Sequence, residues 1–399
     1  MVLICLAIIT VMGLVGLVAD VGYLQAQKQL LQTAADSAAL AAAQELNYGD
    51  SVAAGRADAA SNGFANGQNG IVVTINNPPR SGPHTGTSGY LEAIVSRPEP
   101  TFFLRALGYT TITLSARAVS NVGNGPNCMY VLDPSASAAM SINGNVNIQS
   151  GCGLLVDSSS SSGLTVNGNV SVTASTIGVV GGYSSTGNVT FSPQPKKGIL
   201  PASDPLAYVQ APSYGACGYT NYSLNGNTGS SGSPYQLNPG VYCGGITIGG
   251  NAWLNFRAGT YVLAGGGISF SGNASMTGTG VTFYNTTGSG GYKGISLTGN
   301  VVMNFSAPTS GALSGILFFQ DRSIPAGAAG SAIVGNSGST IDGALYFPTT
   351  TLTYTGNSTT YGYSIIVADK WIANGNSNLK NNYTSLAKGS PIKGLVLSE

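Results

Sequence analysis

The chain has 399 residues, a formal net charge of +1 and only 7% charged residues. So few charges create no field that would attract nucleic acid or another polyanion, and nucleic-acid binding is excluded. Since 43% of the residues are hydrophobic, the chain is not of the disordered type. A neutral sequence with 58 glycines and many β-branched residues is typical of extracellular β-structure.

Residues 1–46 predict one long helix. Residues 1–19 carry no charge, and an apolar run of that length can cross a hydrocarbon core of ~30 Å. Beyond Asp20, the first charge, small and apolar residues recur at helical spacing. They are Val21, Leu24, Leu31, Ala35, Ala38, Ala42 and Leu46. The pattern predicts a single-pass membrane anchor, with Asp20 and Lys28 at the membrane boundary. It continues as an amphipathic stalk whose seam contacts partner helices.

A cleaved secretory signal is the alternative for residues 1–19. Such a signal needs a basic segment, a shorter apolar core and a small-x-small cleavage site. No Lys or Arg precedes the apolar run, and the helical pattern continues through the cleavage zone. The anchor is therefore favoured over the signal.

Residues 47–120 predict a small α+β module. Alternating apolar residues indicate strands, and Gly108 ends a short helical segment. The elements expected in chain order are a helix at 50–65, strands at 71–75 and 90–96, a short helix at 101–107 and a strand at 111–119.

The string at residues 19–43, ADVGYLQAQKQLLQTAADSAALAAA, resembles the N-terminal region of TadE/TadG-type proteins of bacterial tight-adherence (Flp) pilus systems. The residues in register with that family are Asp20, Gly22, Gln32, Ala34, Ala35 and Asp36. Residues 95–119 are similar to the segment that closes its first module. The resemblance implies a pilus-assembly or envelope protein that contacts its partners through the N-terminal helix. Processed pilins have a basic leader, a peptidase site and an early glutamate, which residues 1–19 lack. We therefore expect an unprocessed envelope component, or a true start upstream, rather than a polymerising pilin subunit.

A Gly-Asn unit flanked by alternating apolar residues recurs within residues 121–399. Its asparagines are Asn145, Asn169, Asn188, Asn251, Asn273, Asn300, Asn357 and Asn376. Most neighbouring intervals are 19 to 27 residues, which indicates a solenoid, and gaps of 63 and 57 leave room for extra coils. The glycines would form corners with positive φ, and stacked asparagines would hydrogen-bond along the axis. We predict a parallel β-helix, with a β-sandwich as the alternative.

Four cysteines lie beyond the predicted anchor: Cys128, Cys152, Cys217 and Cys243. There is no CxxC motif and only one histidine, His84, so a zinc site is not expected. An even number of cysteines outside a membrane favours disulfides. Separations of 24 and 26 residues favour Cys128–Cys152 and Cys217–Cys243. Four cysteines allow three pairings, however, and reduced buried thiols are the alternative.

A carbohydrate-active β-helix enzyme would need clustered carboxylates. Coils of ~22 residues would stack Asp321, Asp342 and Asp369 along one face. Carboxylates that cap nearby turn amides are the simpler interpretation, so we expect no catalytic, cofactor or metal site. A sugar-binding face would similarly need exposed aromatics, whereas aromatics in the core are the simpler expectation. The aromatics concerned are Trp253, Tyr354, Tyr361, Tyr363 and Trp371.

These patterns predict a mainly β chain with an anchor and stalk (1–46), a small α+β module (47–120) and a β-solenoid (121–399). The predicted function is structural. It is that of a membrane-anchored, extracytoplasmic component of a bacterial tight-adherence pilus or adhesion apparatus in the cell envelope. Its expected partners are the membrane and pilus-assembly or envelope proteins. The alternatives are an adhesin that binds surface polysaccharide through the solenoid and a carbohydrate-active enzyme.

Overall fold

The computed structural model of the chain describes residues 2–46, 50–124, 127–335, 339–356, 359–361, 364–381 and 390–398. The chain forms two compact units. One comprises Met1–Asn124 with Lys393–Glu399, and the other comprises Gly125–Ile392. The segments predicted as stalk and α+β module thus lie in one unit, and the solenoid ends at residue 392 rather than 399.

The helices are α1 (Val2–Gln44), α2 (Ser51–Ser61) and a short 3-10 helix, Leu104–Leu107. The first strands are β1 (Val72–Asn76), β2 (Tyr90–Pro100) and β3 (Thr111–Asn124). The strands of the second unit are β4 (Asn127–Val131), β5 (Met140–Ser150), β6 (Gly153–Val156), β7 (Leu164–Thr173), β8 (Ile177–Val179), β9 (Tyr183–Ser192), β10 (Lys196–Lys197), β11 (Tyr219–Leu224), β12 (Tyr235–Leu237), β13 (Gly240–Phe256), β14 (Gly259–Ala264), β15 (Ile268–Thr279), β16 (Val281–Thr286), β17 (Ser296–Leu297), β18 (Asn300–Ser306), β19 (Ile316–Gln320), β20 (Ser331–Gly335), β21 (Thr340–Gly356), β22 (Thr359–Tyr361) and β23 (Ser364–Asn381). The last strand is β24 (Lys393–Leu397).

The first unit is an antiparallel sheet in the order β1-β2-β3-β24, covered by α1 and α2. The helices and the first three strands occur where the sequence predicted them. The small residues of the α1 seam are buried on the sheet rather than left for partner helices, which corrects the expected role of this part of the seam. Alanines on both elements let the helix backbone approach the sheet closely. The buried residues are Leu31, Ala34, Ala35, Ala38, Ala39, Ala93, Ala116 and Ala118.

Glu92 of β2 is a fully buried carboxylate within this unit. It accepts hydrogen bonds from Ser81 Oγ, from Asn76 Nδ2 at 2.7 Å and from the Arg80 amide at 3.1 Å, and it forms an ion pair with Arg117 at 2.6 Å. Burial raises the pKa of Glu92, but these hydrogen bonds lower it further, to about 2. The carboxylate thereby fixes the turn-rich loop between β1 and β2.

Glu92→Gln is expected to reduce the free energy of unfolding by about 3 kcal/mol at pH 7, because the mutant loses a charge that is stabilised only in the folded state. The folded-state pKa lies below the ordinary value. This stabilisation is therefore complete above about pH 4.5 and disappears as the pH falls towards 2. Urea unfolding across that pH range measures the effect. The half-buried Glu45 of the same unit provides a matched Glu→Gln control. A mutant as pH-dependent as the wild type between pH 4.5 and 2 would contradict the prediction.

The second unit is a parallel β-solenoid, as predicted. Among the described residues, all paired strands of this unit are parallel. Equivalent residues of neighbouring coils lie side by side, for example Ile246↔Ile268 and Val146↔Val170. The β-sandwich alternative is therefore wrong. Alternate residues point inward and form one continuous core, in which Trp371, Phe256, Phe270 and Phe283 are buried.

The Gly-Asn units form one corner of successive coils. The corner glycines are Gly226, Gly250, Gly272, Gly299, Gly335, Gly356, Gly375, Gly144, Gly168 and Gly187. Their stacking is recorded in matched pairs such as Gly250↔Gly272, Gly335↔Gly356, Gly356↔Gly375 and Gly144↔Gly168. The sequence pattern had shown eight of these corners. The two it missed, at Gly226 and Gly335, lie in the long gaps of the repeat.

The coils are not stacked in the order of the sequence. β23, near the C-terminus, pairs with β5 from Trp371↔Met140 to Asn381↔Ser150, and with β4 at Ala368↔Val131. The last coil in sequence therefore lies next to the first. Along the axis the solenoid starts at β11 and β12, runs through β23, resumes at β4 and β5, and ends at β9 and β10.

This order requires a connection from one end of the solenoid to the other, which residues 198–218 supply. Ten coils at ~4.8 Å per step span about 43 Å between the outermost layers, and this segment, named here the return strap, can reach about 70 Å when extended. Leu206 and Val209 of the strap are buried against the outside of the coils. Arg322 donates hydrogen bonds to the carbonyl oxygens of both, at 2.5 and 2.9 Å.

Two disulfides join neighbouring coils. Cys128 is bonded to Cys152, and Cys217 at the end of the return strap is bonded to Cys243. Of the three connectivities that four cysteines allow, the structure contains the one favoured by the sequence separations. The second disulfide links the strap to the coil that follows β11.

Candidate functional site

Asp20 of α1 holds a loop that is more than 80 positions away in the sequence. Its carboxylate is fully buried and accepts the backbone N–H groups of Phe102 and Phe103 at 2.9 and 2.8 Å and of Leu104 at 2.6 Å. These amides open the 3-10 helix Leu104–Leu107, where a negative charge is stabilised by unpaired N–H groups. Burial raises the pKa of Asp20, but the three backbone donors lower it further, so that the carboxyl titrates below its usual range.

A second layer of polar contacts joins α1 to the end of β2. Tyr23 donates a hydrogen bond to Glu99 at 3.0 Å, and Arg97 donates one to Gln27 at 2.8 Å and pairs with Glu99. The ring of Tyr23 also meets Phe102 edge-on, with centroids 5.3 Å apart. The position of the loop relative to α1 is thus fixed on two successive helical turns.

The loop at residues 102–109 presents apolar side chains to solvent. Phe102, Phe103, Leu107 and Tyr109 are each more than half exposed. α1 exposes Leu17 beside this loop, and Val15, Val18 and Val21 around the rest of the same helical segment. Between them lies a groove of about 320 Å³ lined by Gly13, Leu17, Phe103, Leu104, Ala106 and Leu107. We call these exposed loop and helix residues the apolar foot. Monomeric proteins rarely expose such contiguous apolar surface without a function for it.

Glycine at position 16 allows the loop to lie against the helix. A Cβ at that position would lie 2.4 Å from Cδ1 of Phe103. The close packing of Phe103 on α1 therefore depends on the absence of a side chain there. The sequence signal for this contact is the run Thr-Phe-Phe-Leu before Gly108, but by itself that run predicts only a short helix.

Asp20→Asn is expected to release the loop without unfolding the unit. An amide offers one oxygen in place of two and adds an N–H group that faces the backbone donors. Amide hydrogen exchange at Phe102, Phe103 and Leu104 should accelerate at least tenfold, while exchange in β2 and β3 stays unchanged. Asp36→Asn, on the same helix, is the control. Unaltered exchange at the three amides would mean that Asp20 does not hold the loop.

The remaining predicted boundary residue, Lys28, is exposed on α1. The carboxylate of Asp20, by contrast, is buried and accepts hydrogen bonds from backbone amides of its own chain, so it is not exposed to a partner helix. Among the α1 side chains that the structure describes, the large apolar ones exposed to another molecule are Val15, Leu17, Val18, Val21 and Leu30, whereas the alanine seam at residues 31–43 is buried.

The predicted asparagine ladder is present as side-chain hydrogen bonds. Each amide nitrogen donates to the oxygen of the preceding coil: Asn251 to Asn227, Asn273 to Asn251, Asn300 to Asn273, Asn145 to Asn376, and Asn169 to Asn145, at 2.8–3.2 Å. Asn357, also predicted for the ladder, lies outside the described residues. The ladder crosses the β23–β5 junction at Asn376 and Asn145.

The carboxylates considered for catalysis do not form one column. Asp342 pairs with Ser306 of β18, whereas Asp321 follows β19 and Asp369 lies within β23. Asp369 is near Asp133, and burial followed by the Asp133 charge raises its pKa. In the described part of the chain no three acidic, histidine or cysteine residues form a metal-binding group.

The aromatic residues considered for sugar binding are also separated. Trp371 and Tyr354 are buried in the solenoid core, while Trp253 is exposed. Tyr363 lies outside the described residues, and so does the side chain of Tyr361. The buried residues point inward because they alternate with polar residues along β21 and β23, which places them on the core side of the strand.

The membrane anchor is not confirmed. The side chains of residues 1–12 and 14 lie outside the described residues, and in the remainder no helix has both the length and the hydropathy of a membrane span.

Comparison with known proteins finds a family match for the N-terminal segment. Residues 1–45 match the family described as putative Flp pilus-assembly TadE/G-like. No curated protein and no solved structure matches the chain. The family match associates the chain with Flp pilus systems and with the cell envelope. The protein thus combines a TadE/G-like N-terminal segment with a parallel β-solenoid in one chain.

Proposed function

We propose that the protein is a structural, non-catalytic component of a tight-adherence pilus apparatus, held at a membrane by α1 and the apolar foot. The observation that carries this proposal is the position of the foot. Phe103, Leu104 and Leu107 line a groove with Gly13 and Leu17, which lie in the uncharged start of the chain. The TadE/G-like match of the same helix supports it.

In this proposal the uncharged residues 1–14 enter the hydrocarbon core, and the foot, which begins at Val15, rests at the interface. Aromatic side chains favour the headgroup region, and Tyr109 and the two phenylalanines fit that position. The polar contacts of Tyr23, Gln27 and Arg97 lie one to two helical turns further along α1. Asp20 is suited to the boundary because its charge is already satisfied by backbone donors and requires no water.

Brominated lipids test the position of the foot, because they quench tryptophan fluorescence only at short range. Leu107→Trp in full-length protein reconstituted into such vesicles is expected to be quenched. Val72→Trp, at an exposed valine of the same unit, is expected to keep its fluorescence. Trp253 and Trp371 contribute the same background to both variants. Equal quenching of the two variants would reject the interfacial position of the foot.

Localisation tests the pilus and envelope function. A C-terminal epitope tag is expected to remain with the membranes after pili are sheared off and after carbonate extraction, and to be cleaved by protease added to intact cells. A tag that co-purifies with sheared filaments would make the protein a filament subunit. A tag released into the medium would overturn membrane anchoring.

A further inference from the structure

The two ends of the solenoid are open sheet edges. β9 at one end pairs only with β7, and β11 at the other pairs only with β13, among the strands that the structure describes. Each outer edge therefore presents a row of backbone N–H and C=O groups without a strand partner. Such edges are templates for pairing with another chain unless they are protected.

The two strands that would meet in a stacked contact, β9 and β11, lack the usual protection of a sheet edge. β9, β11 and the residues around them, 158–195 and 205–256, contain no charged residue. The charges at the β9 end are Lys196 and Lys197 of the adjoining strand β10, and Lys197 lies over the ring of Tyr183. β9 and β11 contain no proline. Proteins that keep such edges monomeric place lysine, proline or an inward-pointing charge on them.

The core is also incompletely covered at these ends. Six hydrophobic residues pack against the main core while remaining partly exposed, and five of them belong to the end strands. They are Tyr183 and Val189 of β9, and Tyr219, Tyr222 and Leu224 of β11. Another coil stacked on either end would cover these side chains.

The two ends are complementary to each other. In the ladder, every recorded bond runs from an asparagine nitrogen to the oxygen of the coil nearer to β11. This polarity leaves the amide nitrogen of Asn227 without a ladder acceptor at one end. At the other end Asn188 is in register with Asn169, so its side-chain oxygen is the acceptor that the same polarity would offer to a further coil. A second copy in the same orientation would pair Asn227 with Asn188 and continue the parallel register.

We propose that the solenoids of two copies stack end to end, β9 of one against β11 of the next. The molecule already contains a joint of this kind. β23 and β5 belong to opposite ends of the sequence, yet they pair across a full coil and carry the ladder through Asn376 and Asn145. Because the two ends differ, the contact is heterologous and does not close, so that repeated stacking generates a fibre. Its axial repeat is about 48 Å, ten coils of ~4.8 Å.

Sedimentation velocity and negative-stain microscopy of the full-length protein in detergent test this proposal, which is independent of the proposed membrane function. Wild-type protein is expected to form rods that lengthen with concentration and have the axial repeat of ten coils. The double variant Asn188→Lys/Asn227→Lys places like charges in the stacked contact. It is expected to weaken association at least about tenfold.

The pair Asn188→Lys/Asn227→Asp provides the matched control. Residues 188 and 227 lie at opposite ends of one solenoid, so an ion pair between them forms only between two copies. Restored association supports stacking, provided that circular dichroism shows both variants folded. Wild-type protein that is monomeric up to its solubility limit would overturn the proposal. So would association that is unaffected by the two lysines, as expected of contacts through α1, or a Lys/Asp variant that fails to restore it.

Discussion

Gly168→Ala is expected to lower the free energy of unfolding of the solenoid by at least about 3 kcal/mol. Gly168 has φ of +114° at a corner, where an alanine is strained by about 1–2 kcal/mol. A Cβ there would also lie 2.3 Å from the carbonyl oxygen of Gly144 in the next coil. That oxygen belongs to a backbone fixed by parallel pairing on both sides, so the strand spacing itself must change.

Gly226→Ala separates the conformational cost of the positive φ from the steric cost of the Cβ contact. Gly226 occupies the same corner in the outermost coil, with φ of +84°, but a Cβ there meets nothing within 4 Å. Its alanine variant should lose only the conformational part, about 1–2 kcal/mol. Chemical denaturation followed by circular dichroism at the β-sheet minimum measures both variants. Similar losses at the two positions would show that close coil stacking does not constrain the corner.

The corner explains why the solenoid was predictable from sequence. Each coil needs one residue with positive φ and no side chain. The residue after it must hydrogen-bond through its side chain to the equivalent residue of the next coil. Glycine and asparagine meet those needs wherever a coil turns. This local rule marks the repeat without reference to distant residues. Gly226 and Gly335 carry the same Gly-Asn pair, but Thr-Gly and Ser-Gly follow it, so the alternating apolar residues that mark most other units are missing there.

The order in which the coils stack was not predictable from the sequence, because the corners of all coils are alike. Every coil presents the same Gly-Asn corner, so β23 accepts β5 as readily as it would accept a coil that follows it in sequence. Periodicity gives the shape of a coil but not its neighbour. The absence of the repeat from residues 198–218 was the available signal that the chain leaves the stack.

The contacts of the apolar foot could not be predicted from the sequence, for a different reason. Hydropathy identified the apolar start of the chain and placed Asp20 at its boundary. It did not reveal that the carboxylate binds three amides of a loop at residues 102–104. Such a contact depends on tertiary structure, and one sequence contains no pattern for it. The alanine seam was likewise identified correctly as a contact surface, but its partner is the chain's own sheet.

Arg322→Ala is expected to lower the free energy of unfolding of the solenoid by about 3 kcal/mol and to release the return strap. The guanidinium donates to two strap carbonyls, at Leu206 and Val209, and lies within 4 Å of Asp204. It also lies 5.2 and 5.0 Å from the ring centres of Phe319 and Tyr346. Hydrogen bonds to charged groups contribute about 1.5–3 kcal/mol each, and cation–π contacts add about 0.5–1.

Two further variants, Arg322→Lys and Arg257→Ala, show how much of the loss comes from the hydrogen bonds of Arg322 to the strap. Arg322→Lys keeps a cation over the two rings but cannot donate to both carbonyls in a planar fork, so an intermediate loss is expected. Arg257→Ala, at an exposed arginine of the same solenoid, should change stability by less than about 0.5 kcal/mol. Limited proteolysis within residues 198–218 reports the strap directly. Cleavage should become at least tenfold faster in Arg322→Ala and stay unchanged in Arg257→Ala. Resistance of the Arg322→Ala strap would mean that the buried Leu206 and Val209 and the Cys217–Cys243 bond hold it without the arginine.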